Sequence, residues 1–173
     1  MAKLSETRAV PPRPFDAQAL EDALDAERQA QGLTWTELAR RLHIAPTTMR
    51  GMAGRPSLEM DGAIAMVRWL GRSLESFTAL PDAPPLPQGD WATDQGFVRI
   101  NAPRVHQALE MARAKRGLTW EQVAAAITAA GAPTQAAGLA RLAKGGRMDV
   151  HQVVAICAWL GRPVAGFTRF SPT

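Results

Sequence analysis

Apolar side chains recur every three or four positions through most of this chain, and that recurrence predicts helices. Leu20, Ala23 and Leu24, with Glu27, sketch a first helix that Asp16 caps and that ends before Gly32. Thr34 with Glu37 fits a capping box, in which the hydroxyl takes the backbone N–H of residue 37 and the carboxylate reaches back. It opens a second helix with Leu38, Ala39 and Leu42 on one face. His43-Ile44-Ala45 leaves room only for a turn, and Pro46 suits the first position of a third helix. That helix buries Met49 and Met52, shows Thr47, Thr48 and Arg50, and stops at Gly54. Ser57 or Glu59 starts a fourth helix, with Met60, Ile64, Val67 and Leu70 at helical spacing and Gly71 at its end; residues 73–78 give a short fifth.

The pattern then repeats. Gly32-Leu33-Thr34-Trp35 returns as Gly117-Leu118-Thr119-Trp120, 85 positions later, and Arg28 returns as Arg113. Trp69-Leu70-Gly71-Arg72 returns as Trp159-Leu160-Gly161-Arg162 and Phe77-Thr78 as Phe167-Thr168, at offset 90. Two copies of one unit follow, the second with five extra residues. In it Asn101 caps a helix carrying Val105, Ala108, Leu109 and Ala112, and Thr119 with Gln122 caps a second through Val123, Ala124 and Ile127. Leu139 and Leu142 answer Met49 and Met52, and Val153, Val154, Ile156 and Leu160 form the last stripe. No alternating run of strand length appears, so the expected fold is all-α: two tandem five-helix domains joined by a Pro-rich linker. The expected boundaries are an arm at 1–14, a first domain at 15–80, a linker at 81–96 and a second domain at 97–173. Within the linker Trp91 stands alone and is expected to pack on one domain.

Charge divides the two copies. Net charge is +4, yet residues 15–80 carry −2 and residues 97–173 carry +7. A basic half beside a mildly acidic one points to a polyanionic partner, with the second unit as the stronger anchor. Between Leu38 and Leu58 stand Arg40, Arg41, Arg50 and Arg55 without an acid; between Gln122 and Met148 stand Arg141, Lys144 and Arg147, again without one. The single cysteine, Cys157, suits a reducing compartment, no apolar run approaches membrane-spanning length, and the first six residues lack the apolar stretch of a secretion signal. A cytoplasmic protein without a membrane partner is expected.

A capped second helix, a three-residue turn and a third helix polar at its start describe a helix-turn-helix. A small residue in helix two (Ala39, Ala124) lets helix three cross closely, so the exposed start of helix three can enter a DNA major groove about 12 Å wide. Thr34 and its neighbouring amides direct positive dipole at backbone phosphates. Residues 33–42, 46–49 and 56–58 leading to Trp69-Leu70-Gly71, and in the second unit 118–125, 139–145 and 159–161, resemble the lambda-repressor-like, Xre-type family of bacterial and phage regulators. The resemblance implies that Thr47, Thr48 and Arg50 face bases or adjacent phosphates. It also implies that Trp35 and Trp120 stand where relatives often carry a phosphate-contacting glutamine; the indole either donates there or packs against helix three. Ala45 replaces the usual serine cap, and Gly51 inside the third helix costs about 1 kcal/mol against alanine.

The five extra residues of the second unit fall in 128–137, inside the turn. Either helix three starts early at Pro133, with Thr134 and Gln135 at its tip, or the turn becomes a loop. The expected interface is thus Thr34, Trp35, Arg40, Thr47, Thr48, Arg50 and Arg55 in unit one, and Thr119, Trp120, Thr134, Gln135, Arg141, Lys144 and Arg147 in unit two. The expected partner is double-stranded DNA, with a homodimer or a protein partner left open. His43, His106 and His151 share no ligand spacing with Cys157, and neither a nucleophile–base pair nor a phosphate-cradling glycine loop is visible, so no cofactor, metal or enzyme activity is expected. The rival reading is a helical protein-interaction module, an antitoxin or co-regulator that keeps the fold without DNA.

Overall fold

The computed structural model describes residues 13–172, which are predominantly helical. Unit one runs α1 (Ala17–Ala30), α2 (Trp35–Leu42), α3 (Pro46–Met49), a 3-10 turn at Met52–Gly54, α4 (Met60–Leu70) and a 3-10 turn at Leu74–Phe77. Next come α5 (Trp91–Asp94) and β1 (Gly96–Ile100). Unit two follows with α6 (Ala102–Lys115), α7 (Trp120–Ala129), α8 (Ala136–Arg141), a 3-10 turn at Leu142–Lys144, α9 (Val150–Leu160), a 3-10 turn at Val164–Phe167, and β2 (Thr168–Pro172). The expected fifth helices are single 3-10 turns. Of the expected arm, residues 1–12 lie outside the described residues.

The capping rules predict the helix starts well. Ala19 N donates to Asp16 Oδ1 (2.9 Å) and Arg104 N to Asn101 Oδ1 (3.2 Å), opening α1 and α6. Both capping boxes close: Glu37 N donates to Thr34 Oγ1 and Thr34 N to Glu37 Oε2, as Gln122 N donates to Thr119 Oγ1 and Thr119 N to Gln122 Oε1.

The all-α expectation needs one correction. β1 and β2 pair antiparallel, with Gly96 opposite Pro172 and Ile100 opposite Thr168. Burial along β1 falls at its two ends rather than at alternate positions, so the period of two that marks a strand is missing from the sequence. Gly96 is required by close approach, since a Cβ there would meet the Phe170 ring at 2.6 Å and Ser171 O at 2.7 Å. The ribbon extends a clamp that both units share. Phe15 bridges Thr78 and Asp16 N donates to Phe77 O (2.8 Å); at the matching place Ile100 pairs with Thr168 and Asn101 N donates to Phe167 O (2.7 Å).

The two units meet at a seam of approximate two-fold symmetry. Met60 N donates to Met148 O (2.9 Å) and Val150 N to Leu58 O (2.8 Å), so Glu59 lies antiparallel to Asp149, its own counterpart in the repeat. Around this pair α4 packs on α9, and the buried residues of both units form one continuous core. Three carboxylates reach across: Asp149 Oδ2 accepts from Leu58 N, Asp61 Oδ1 from Ile100 N, and the buried Glu75 Oε1 from Val164 N (2.8–2.9 Å). Nearby, burial pushes the Cys157 thiol up to about 12, with Glu75 adding to the effect.

Residues 81–96, expected as a linker, are pinned to unit one. The buried Arg68 pairs with Asp94 (2.6 Å) and donates through Nε to Pro87 O (2.9 Å), while Gln88 Nε2 donates to Trp69 O (3.1 Å). Trp91 packs as expected, with its ring 4.0 Å from that of His43.

Asp149 holds two tasks, capping α9 at His151 N and accepting from Leu58 N across the seam. Losing an N-cap costs about 1 kcal/mol and orphaning a partly buried N–H about 1 kcal/mol or more. Asp149→Ala should therefore lower stability by about 2 kcal/mol in urea unfolding, and a change below about 0.5 kcal/mol contradicts the double role. Buried His151 gives a pH signature: burial pushes its pKa down, opposed by Asp149 and reinforced by Arg13. The unfolded chain binds that proton near about pH 6.5 and the folded chain resists it, so this contribution is present above that pH and lost as pH falls through the folded value. Urea midpoints at about pH 7.5 and about pH 5.5 should differ more for the native chain than for His151→Phe.

Candidate nucleic-acid interface

The start of α2 is built the same way in both units, around an arginine from the preceding helix. Arg28 Nη1 donates to Leu33 O and Arg113 Nη1 to Leu118 O, each at 2.8 Å. Arg28 is held by Asp25 and Arg113 by Glu110. Their guanidiniums lie 4.9 Å from the centre of the Trp35 ring and 5.3 Å from that of Trp120. Trp120 also stacks on His106 at 5.3 Å. Both indoles are thus half-buried under α1 or α6, packed toward helix one rather than toward helix three. Arg28 and Arg113 are visible in the sequence as a repeated residue, but the repeat alone does not disclose what each one holds.

Hydrogen bonding from Thr34 holds the Glu37 carboxyl below its usual range, first through the Thr34 N–H and then through its hydroxyl. The ionised carboxylate stands beside Arg40 and Arg41, at the end of α2 expected to meet phosphates. Arg40 is exposed, and Thr34 Oγ1 is committed to its cap.

The third helix of unit one departs from expectation. α3 is a single turn: Arg50 is extended (φ −83°, ψ 130°) and Gly51 is left-handed (φ +72°). Gly51 is where the helix breaks rather than a weak point inside it, because only glycine takes that conformation cheaply. Glu21 Oε1 receives the freed Gly51 N–H at 2.8 Å, which brings a carboxylate of α1 to a stretch without an acid of its own. Thr47 is exposed and Thr48 half-buried at the tip of α3, but the exposed Arg50 stands beyond the helix instead of on its face. Arg55 is tied back, donating through Nη2 to Thr47 O, while Arg13 Nη1 donates to Arg55 O (2.6 Å).

In unit two the extra residues resolve into a loop. α7 runs on to Ala129, residues 130–135 form the connection, and α8 begins at Ala136, so Pro133 does not open the helix. Thr134 is not a tip residue but the loop's brace: its N–H donates to Thr128 Oγ1 (3.0 Å) and its hydroxyl to Ala132 O (2.8 Å). Gln135 is exposed at the N-cap position without capping through its side chain. Here α8 continues directly into its 3-10 turn, giving a longer rod than α3, from which Arg141 and Lys144 project exposed, with exposed Arg147 just beyond. Arg141 Nε rests on Ala137 O at 3.3 Å. Among the described residues no cluster of His, Cys, Asp and Glu is arranged to hold a metal ion, and no helix is long and apolar enough to cross a membrane.

The arrangement offers two capped helix starts, each followed by a second helix with an exposed end, on opposite sides of one two-fold seam. One end is polar and short, the other longer and basic. Comparison of the chain with protein-family models, with curated proteins and with solved structures returned no match.

Proposed function

We propose that the chain is a double-stranded DNA-binding transcriptional regulator that carries two helix-turn-helix units about one internal two-fold. The observation that carries this reading is the repeated capped helix, turn and exposed helix tip, once over residues 34–49 and once over residues 119–141. Two such elements related by a two-fold match the symmetry of duplex half-sites about one helical turn, roughly 34 Å, apart. A homodimer of a shorter protein would present two identical readers; this chain presents two that differ. Unit one supplies Thr47 and Thr48 as hydrogen-bonding groups, and unit two supplies Arg141, Lys144 and Arg147 as cations. The preferred site is therefore asymmetric, one half read through base edges and the other gripped through phosphates.

A second reading, a protein-interaction module in the manner of an antitoxin or co-regulator, draws support from the brevity of α3 and from the tip of α8. Gln135-Ala136-Ala137-Gly138 offers one side-chain amide and no other hydrogen-bonding side chain to a base edge. Genome-wide protein–DNA crosslinking, followed by footprinting of the full chain on the recovered fragments, separates the two. An asymmetric footprint made by one chain supports the regulator; failure to protect any fragment even at low salt leaves the module.

Two substitution pairs divide labour within that footprint. Arg141→Ala with Lys144→Ala should weaken binding to specific and random DNA alike and flatten the salt dependence by about one unit of log–log slope per phosphate no longer neutralised. An unchanged slope removes these residues from the interface. Thr47→Ala with Thr48→Ala should cut preference for the cognate site by roughly 1–3 kcal/mol for each base edge no longer read. Intact selectivity with lower overall affinity reassigns them to positioning the backbone.

A further inference from the structure

Two buried side-chain polar atoms stand without a hydrogen-bond partner among the described residues, Trp91 Nε1 and His151 Nδ1. Each belongs to a residue lining one of the two clefts that flank the seam. A buried polar side-chain atom without a partner is rare, and here both mark the walls of these clefts. The cleft at Trp91, about 440 Å³, is the more strongly featured of the two. Its aromatic side is His43, Trp91 and Phe97, with ring centres 4.0–6.4 Å apart. Arg99, Arg147 and Arg169 also line it, and none of them is in an ion pair among the described residues. Arg99 and Arg169 lie directly opposite each other in the β1–β2 register. Like charges in that relation repel and destabilise a strand pair unless an anion sits between them.

The carboxylates present fill that role only in part. Asp61 is engaged by Ile100 N and Asp90 by Thr93 N, which leaves Glu59 as the acid facing the three arginines. A size of this order suits a small organic molecule, and the mainly polar lining would orient it through charged groups, with the three rings as its apolar side. A DNA backbone is a poor occupant, because a phosphate has no use for the aromatic side.

We infer that this cleft binds a planar aromatic carboxylate, with its ring against the aromatic side at Trp91 and its carboxylate between Arg99, Arg169 and Arg147. The inference has a second half, which rests on the DNA-binding reading. His43 ends α2 in a left-handed conformation (φ 54°) at the turn before α3, and its ring packs on Trp91 at a 39° tilt. A ligand that engages Trp91 therefore touches the element that positions Thr47 and Thr48.

The test uses the full chain labelled with 15N, in which the five tryptophans give separate indole N–H signals and Trp91→Phe identifies one of them. Salicylate and indole-3-acetate are the probes, titrated to about 10 mM because small fragments bind at about millimolar Kd. At least one should shift the Trp91 signal saturably, while benzyl alcohol and inorganic phosphate, ring and anion alone, should not. Arg99→Gln with Arg169→Gln should weaken that binding about tenfold or more while leaving the melting temperature equal or higher, since the repelling pair is gone. No saturable shift with either probe, or undiminished binding to the double variant, overturns the site. Competition by phosphate or by a DNA oligonucleotide equal to that by the aromatic acids overturns the aromatic-carboxylate assignment in favour of a phosphate contact. A saturable shift with unaltered affinity for a DNA site the chain does bind overturns the coupling alone. A saturable shift in a chain that binds no DNA leaves the site standing and removes the regulator reading on which the coupling rests.

Discussion

Two backbone hydrogen bonds, Met60 N to Met148 O and Val150 N to Leu58 O, set how the halves of this molecule face each other. Each residue in the pair meets its own counterpart from the other copy, the contact geometry of an isologous dimer drawn inside one chain. Because backbone atoms make the bonds, the relation depends little on which side chains occupy 58–60 and 148–150, so long as Leu58, Met60, Met148 and Val150 stay buried. α4 and α9 both begin here, and the two clefts open on either side. Joining the copies covalently also makes the contact intramolecular, so it does not weaken on dilution as a separate dimer's would.

With both copies in one chain the two need not be identical, and their differences are selective. The parts that fix the first two helices are kept: Asp16 and Asn101 as caps, Thr34 and Thr119 in their boxes, Arg28 and Arg113 over tryptophan. The parts beyond the turn are not. Gly51 cuts the third helix short in unit one, while in unit two a Thr128–Thr134 brace lengthens the connection and lets α8 run on. At the seam, Asp149 caps its helix and reaches across, whereas Glu59 caps nothing through its side chain.

Which of these features the sequence discloses follows from how local their causes are. A cap needs a hydroxyl or carboxylate and a backbone N–H two or three residues on, so the capped starts of α1, α2, α6 and α7 can be read directly, as can the buried stripes of α4 and α9, whereas the Asp90–Thr93 box of α5 lies in a segment expected as a linker. Gly51 has a local cause too, but glycine inside a helix pattern reads either as a cost or as a break, and what decides it is Glu21, thirty residues earlier, receiving the freed N–H. β1 is legible only with β2, its partner some seventy residues away, and the seam only with both copies in place. The candidate interface divides along the same line. Thr34 and Thr119 stand where their caps require, whereas Thr134 is drawn into a loop by a hydroxyl in a neighbouring helix.

The segment between the copies ties these levels together. Arg68, buried in α4, fixes Pro87 and Asp94; that anchors α5, and α5 sets the Trp91 ring on His43 at the end of α2. β1 follows two residues after α5, and its last residue, Ile100, bonds back to Asp61 near the seam. The seam, β1, Trp91 and His43 are therefore joined by packed side chains and hydrogen bonds, and His43 leads by the backbone into the turn before α3. Unit two has no counterpart, because its chain turns after Phe167 into β2 and pairs with β1 instead of returning to α7. Trp91 thus packs on the residue that opens the turn of unit one, while the turn of unit two is held by its own Thr128–Thr134 brace. If the chain reads DNA as proposed, the half of the site met by Thr47 and Thr48 is the half open to adjustment from the seam, and the basic half is the fixed anchor.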